Sequence, residues 1–455
     1  MKNFIGIVFM LATLQVTAQH QHNMNMTDTV PAKDSMMDMN MDMGDMDRDM
    51  QMPGMNHAYS LSLPMSRNGS GTSWSPDNTP MYMMMKHGKK DMWMFHGSIW
   101  LRYNNQELLK KALRSDAQFD APNWFMVMYN RQVGKNGLLN VTGMFSFDAL
   151  TVGKSGYPLL FQSGESFEGK TLVDRQHPHD LFAALSVGYT QRLSKKVDVF
   201  GYFGYPGEPA ISAPTFMHRI SAMNDPDAPL SHHWQDATHI TFGVATIGVR
   251  VDKFKLEVSD FTGREPDEHR YNFDPMRFDS YSYRLSYNPN KSWALQFSQA
   301  YLHSPELLHP EENIWRYTAS ALYASPVDAK GKYFTSAFVW GMNDIGKNDR
   351  EHSLLLEGTQ QFTKQAVYGR YEFVQKSSEE LALEEAFDHD KIFNIHKLTI
   401  GTNRKLFAAG PVDFLLGAQL SVNLPPPSLQ SLYRNIPLAG QVYLQIRPSL
   451  NKMKM

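Results

Sequence analysis

At 455 residues and a formal charge of -2, the chain carries no basic field that would attract nucleic acid and no acidic field of comparable strength. It has no cysteine, a mean hydropathy of -0.42 and, past its N-terminus, no apolar run of about 18 residues, which excludes a disulfide scaffold and a helical membrane protein. Its 12% of aromatic residues suits a transmembrane β-barrel, whose strands are apolar on one face only.

The chain opens with Lys2 ahead of an apolar run from Phe4 to Leu14, followed by Val16, Thr17 and Ala18, small side chains of the kind a signal peptidase reads. Residues 1–18 therefore read as a secretory signal peptide, the run being far short of the roughly 20 residues a spanning helix needs. Residues 19–70 shift in composition: eleven of the 29 methionines fall between Met24 and Met55, interleaved with Asp28, Asp34, Asp38, Asp42, Asp45, Asp47 and Asp49. Such a stretch cannot bury enough surface to offset its ordering entropy and is expected to be disordered. Thioether sulfur is a soft ligand that selects Cu(I) or Ag(I), so Met37, Met39, Met41, Met43, Met46 and Met50 are candidate copper ligands, with His20, His22 and His57 suited to Cu(II). Methionine is also an oxidation liability in a solvated linker, which argues against its being mere filler there.

From Met92 onward the apolar residues recur with period two. Tyr281, Tyr283, Leu285 and Tyr287 share one face of a strand, while Ser280, Ser282, Arg284 and Ser286 share the other. Trp293, Leu295, Phe297 and Tyr301 repeat the pattern. About sixteen such segments (range about 12–18) are expected, one of them starting at His239. Short turns, for example at 194–196, 252–253 and 408–410, alternate with long connections, as in outer-membrane barrels with short turns inside and long loops outside. Residues 71–455 are therefore expected to form an antiparallel, all-β transmembrane barrel. An even strand number leaves both termini, and the methionine-rich segment, on the periplasmic side.

The inward positions of these strands include Arg284, Arg316, Arg370 and Glu372, mixed charges of the kind that line a water-filled lumen. The stretch 205–239 has no helical or strand period, yet it holds Asp236, His218, His232, His233 and His239. A connection of this length is uncommon unless it is functional. Its apolar pieces suit packing against a wall, so it is expected to fold inward as a constriction that includes Asp236. A second cluster, DRQHPHD at 174–180, sets His177 and His179 two apart and facing that loop. Together with His218, His232, His233 and His239 they are the candidate loop metal ligands, although histidines bonded to loop carbonyls would look the same. No GxSxG, HExxH or Walker pattern occurs, and no catalytic residue is assigned.

The Met/Asp/His-rich leader ahead of a barrel resembles copper-resistance outer-membrane proteins of the CopB and PcoB type. The segments GTSWSPD (71–77), GYPLL (156–160), DRQHPHD (174–180), FMHR (216–219), HHWQD (232–236), GREPD (263–267) and NPN (288–290) resemble a bacterial family of outer-membrane β-barrels often encoded near copper and heavy-metal efflux genes. That family brings no ligand or catalytic residues with it, so the resemblance implies a setting: a Gram-negative outer membrane, its lipid, a copper-like ion, and periplasmic metal-efflux components as partners. The leading expectation is a barrel in copper or soft heavy-metal homeostasis whose tail binds Cu(I). A general small-solute porin and an outer-membrane metal-dependent enzyme stand as the alternatives.

Overall fold

The structure is a computed structural model that describes residues 56–451 except 110, 347, 348, 389 and 390. The period-two segments become sixteen long strands. The first eight are β1 (Asp91–Asn105), β2 (Asn123–Val133), β3 (Gly137–Phe145), β4 (Phe182–Ser194), β5 (Val197–Gly204), β6 (Val244–Val251), β7 (Phe254–Phe261) and β8 (Ser280–Asn290). Then follow β9 (Trp293–His303), β10 (Asn313–Ala324), β11 (Tyr333–Gly346), β12 (Asp349–Gln361), β13 (Gln365–Lys376), β14 (Phe393–Ala409), β15 (Val412–Leu424) and β16 (Leu438–Pro448). Each pairs antiparallel with the next, and β16 returns to β1 to close the barrel. The short strands Met84–His87 and Ala117–Asp120 extend the seams on either edge of β1.

Exposure along the strands is the inverse of a soluble barrel. On β8, Tyr281 and Leu285 are 50% and 45% exposed, while Arg284 between them is 1% exposed. Apolar side chains so displayed are stable only against lipid, and the buried polar face looks into the lumen. Aromatic pairs mark both rims. Trp93 with Tyr129, Phe254 with Tyr287 and Trp293 with Tyr323 lie toward the short turns, and Tyr281, Tyr301 and Trp315 toward the long loops. At the turn 410–411, Gly410 supplies the positive φ (58°) that a tight hairpin needs, and Asp252 does so at 252–253 (53°).

Three expectations change. The sixth strand begins at Val244, not His239, because His239 lies in a buried 3-10 turn that belongs to the inward loop. The alternation of loop lengths fails once: β11 and β12 are only two residues apart on the loop side, where the inward loop already covers the wall through Trp234 and Gln235. Residues 56–70, expected within the disordered segment, are folded and mostly buried. Here Tyr59, Leu61, Leu63 and Met65 alternate along the chain, and the Tyr59 ring meets Phe200 and Tyr202 at 5.4 and 6.1 Å. Ser60 Oγ donates to Asp198 Oδ2 of β5 at 2.6 Å, so this segment lines the inner wall.

Candidate functional site

Loop 205–243 does not ring the barrel mouth. It crosses the lumen, and nearly every residue of it is buried. Peptide groups and charges taken out of water need partners, and here the wall supplies them. Asp227 sits 2.9 Å from Arg102 Nη1 of β1 and accepts from Gln419 of β15 and Gln441 of β16 at 2.8 Å. Arg370 of β13 reaches Asp225 at 3.2 Å. Arg219 of the loop bridges Asp236 (2.8 Å) and Glu357 of β12 (2.9 Å). Farther along, the indole of Trp234 donates to Glu351 at 3.0 Å. The Trp234 backbone lies against Gly341, where a Cβ would stand 2.2 Å from the Trp234 carbonyl.

The residues expected to line a constriction are therefore found in another role. Arg284 donates to the carbonyls of Ile211 and Ser212 (3.2 and 3.1 Å), and Glu372 accepts from the Leu230 amide at 2.5 Å. Arg316 donates to Asn343 at 2.9 Å, while Asp236 belongs to the loop itself. Arg284, Arg370 and Glu372 are buried with the loop in place of water as their partner, whereas Arg316 is buried against Asn343 of β11.

Where loop 205–243 meets loop 146–181, five of the candidate histidines come together. Ring centroids are 5.0 Å apart for His232 and His239, 5.2 Å for His232 and His233, 5.5 Å for His179 and His239, and 5.7 Å for His177 and His233. The close approach of the two loops depends on Gly164 (φ 106°), since a Cβ there would stand 2.3 Å from the His233 ring. Four of the rings are anchored through Nδ1. His179 bonds Asp148 (2.7 Å), His232 bonds Asp236 (2.5 Å), His239 bonds the Asp236 carbonyl (3.0 Å) and His233 pairs with Glu265 (3.3 Å). An acceptor on Nδ1 fixes the tautomer and turns the Nε2 lone pair outward, the arrangement of metal-ligating histidines. The Nε2 atoms of His179, His233 and His239 are buried without a protein hydrogen-bond partner.

Burial lowers the pKa of His232 and His239 and brings His177 down to about 4, against the pull of its neighbour Glu165, so these rings are neutral at pH 7. His233 is shifted up: burial opposes the charge, but the carboxylates of Glu265, Glu165 and Glu380 together outweigh it. Glu165, His177 and His233 place one ligand atom each within 4.8 Å of one another, with Arg270 holding Glu165 at 2.7 Å. Chemically this is a set of imidazoles and a carboxylate suited to a borderline divalent metal. A second trio, His309, Glu312 and Glu379, is more exposed.

His218 does not join the cluster. Its ring meets that of Trp124 at 5.0 Å, tilted by 56°, beside another cavity. Met37, Met39, Met41, Met43, Met46 and Met50 lie outside the described residues. Sequence reasoning missed Asp148, Glu165 and Glu265, for which no spacing gave a signal. It also missed inward methionines of β1 and β2, whose alternation with aromatics was visible.

No protein-family model and no curated protein matches the chain. Among solved structures it is similar to Salmonella typhi OmpF in complex with daunomycin (10% identity, TM-score 0.49, 80% of this chain and 100% of that one). It is also similar to Pseudomonas putida OprB (10%, 0.46, 78% and 94%) and to an anion-selective porin from Comamonas acidovorans (10%, 0.43, 79% and 99%). The functional reading rests on this chain's own residues, which define a transmembrane β-barrel with a filled lumen.

Proposed function

We propose that the protein is a channel of the Gram-negative outer membrane, a porin-class barrel for small polar solutes that is kept shut by its own loop 205–243. A closed barrel of about sixteen strands otherwise leaves an aqueous passage. The observation that supports the closed state is the loop's path across the lumen, tied by Asp225, Asp227 and Arg219 to β1, β12, β13, β15 and β16. The short-turn end, where the strand path begins and finishes, faces the periplasm in this reading and brings the N-terminal segment to that side. Planar-bilayer recording tests it: the protein should show long closed periods with rare openings, and a steadily open pore of porin size would sink the idea.

A second reading, a metal role, is favoured by the anchored histidines with buried, unpartnered Nε2 atoms. In it the loop junction takes a borderline divalent ion such as Zn(II) or Cu(II), and the methionine-rich segment serves copper homeostasis beside periplasmic efflux components. Calorimetric titration of Zn(II) should give micromolar or tighter binding that His179→Ala with His239→Ala removes. For the segment, deleting residues 19–50 should lower the number of Cu(I) bound, and an unchanged number would take it out of the reading.

A further inference from the structure

A cavity toward the turn-side end of the lumen is lined by eight methionines and a single branched aliphatic residue, Ile220. The thioethers arrive from three separate parts of the chain. Met94, Met126 and Met128 come from the adjoining wall strands, where Met94 pairs with Met128 and His96 with Met126. Met65 belongs to the folded N-terminal segment and Met217 to the inward loop. Methionine is ordinary filler for an irregular gap, and one or two here would need no other account. Eight around one void, with leucine and valine absent from its lining, go beyond filling.

Two imidazoles face the same void. His96 Nε2 is buried without a protein partner, and burial holds His218 neutral, its pKa down to about 3. Among the described residues, no aspartate or glutamate lines the cavity. Its one permanently charged lining residue, Arg447, is occupied with the Tyr82 ring at 4.5 Å and with Asn224. A hard or divalent cation would find no anionic ligand to offset its desolvation. A soft ion of single charge needs only the neutral sulfur and nitrogen donors that are present.

We propose that this cavity binds a soft monovalent metal ion, Cu(I) or Ag(I), through the thioethers of Met94, Met126 and Met128 with His96 as a nitrogen donor. The site is separate from the cluster of His177, His179, His232, His233 and His239, and it stands whether or not those bind metal.

The test uses the full chain in detergent, its methionine methyl groups labelled with carbon-13, titrated with Ag(I). The methyl signals of Met94, Met126 and Met128, assigned by single leucine substitutions, are expected to shift. The combined variant Met94→Leu, Met126→Leu, Met128→Leu is expected to bind one equivalent fewer. Signals that stay in place while Ag(I) is taken up elsewhere overturn the proposal, and because they are read in the unsubstituted protein this result does not depend on the triple variant folding. A parallel Zn(II) titration is expected to leave the three signals unmoved. Zn(II) shifting them as strongly as Ag(I) would overturn the soft-ion assignment.

Discussion

Asp227→Ala probes the closure most directly, because this carboxylate joins the inward loop to four wall strands at once, through Arg102, Gln419 and Gln441 and through an ion pair with Lys397 of β14 at 3.9 Å. Its removal takes one charged bond from Arg102 and the acceptor from both Gln419 and Gln441. Arg102 keeps Asp120, bonded at 2.5 Å, so the guanidinium is not left alone and the cost stays below that of orphaning a buried ion. All three bonds are to an ionised carboxylate, and at the low end of about 1.5 kcal/mol each they sum to about 4.5 kcal/mol. The ladder hydrogen bonds that close the barrel do not involve Asp227, so the loss falls on loop docking. At about 1.4 kcal/mol per tenfold, the ratio of open to closed channels should rise roughly 1,000-fold. Single-channel recording in planar bilayers reads that ratio, and heat-modifiable gel mobility confirms that the barrel has formed. Asp227→Asn, which keeps an acceptor for the glutamines, should give a smaller rise. A folded Asp227→Ala protein with an unchanged open fraction would refute the view that this contact holds the loop in place.

Two further perturbations bear on the loop junction. His177 and His218 have pKa values lowered by burial, to about 4 and about 3, from an ordinary value of 6.5. The unfolded loop then binds more protons than the docked one between those values, so docking is fully stable above about pH 6.5 and weakens as pH falls toward 4. His233 works in the opposite sense, its shift being upward, so a net loss on acidification requires the neutral rings to prevail. Thermal melts followed by tryptophan fluorescence should show the midpoint falling over this window, less steeply in His177→Gln. Gly164→Ala should cost about 1–3 kcal/mol of local stability, because the residue sits at φ 106° and its new Cβ meets the His233 ring. Zn(II) affinity weakened tenfold or more is the expected reading, and unchanged affinity would separate His233 from any metal role.

The barrel was legible because lipid and water impose opposite demands on alternate residues. Tyr281, Tyr283 and Leu285 against Ser282, Arg284 and Ser286 state the register of β8 without ambiguity. The folding of residues 56–70 was not legible. The alternating Tyr59, Leu61, Leu63 and Met65 are too few to stand out against the methionine and aspartate that precede them. The histidine-rich stretches announced themselves, but their partners did not. Asp148, Glu165 and Glu265 reach the junction through loop geometry that no local spacing encodes. The mixed charges were read as inward. Their role depended on whether water or another part of the chain would meet them, and that is settled only when loop 205–243 is seen in the lumen.

The methionines of the wall carry a consequence for the route a metal ion would take. The cavity lined by Met94, Met126 and His96 shares Ser98, Trp124, Met217 and Met223 with a second cavity, which extends to His179, Asp148 and Asp225. Soft neutral donors at the turn-side end thus lead to imidazole and carboxylate at the loop end, along β1 and β2 and one edge of the inward loop. A cation moving that way gains anionic character in its ligands as it advances, and does not have to pass the buried guanidiniums of Arg284 on β8 and Arg316 on β10. The contact it would pass beside is Asp225 to Asp227, the segment that ties the loop to Arg102 and Arg370. A metal arriving there competes with those arginines for the same carboxylates. Binding an ion and loosening the loop would then be one event, so Asp227→Ala should raise the open fraction and at the same time reduce its dependence on added metal.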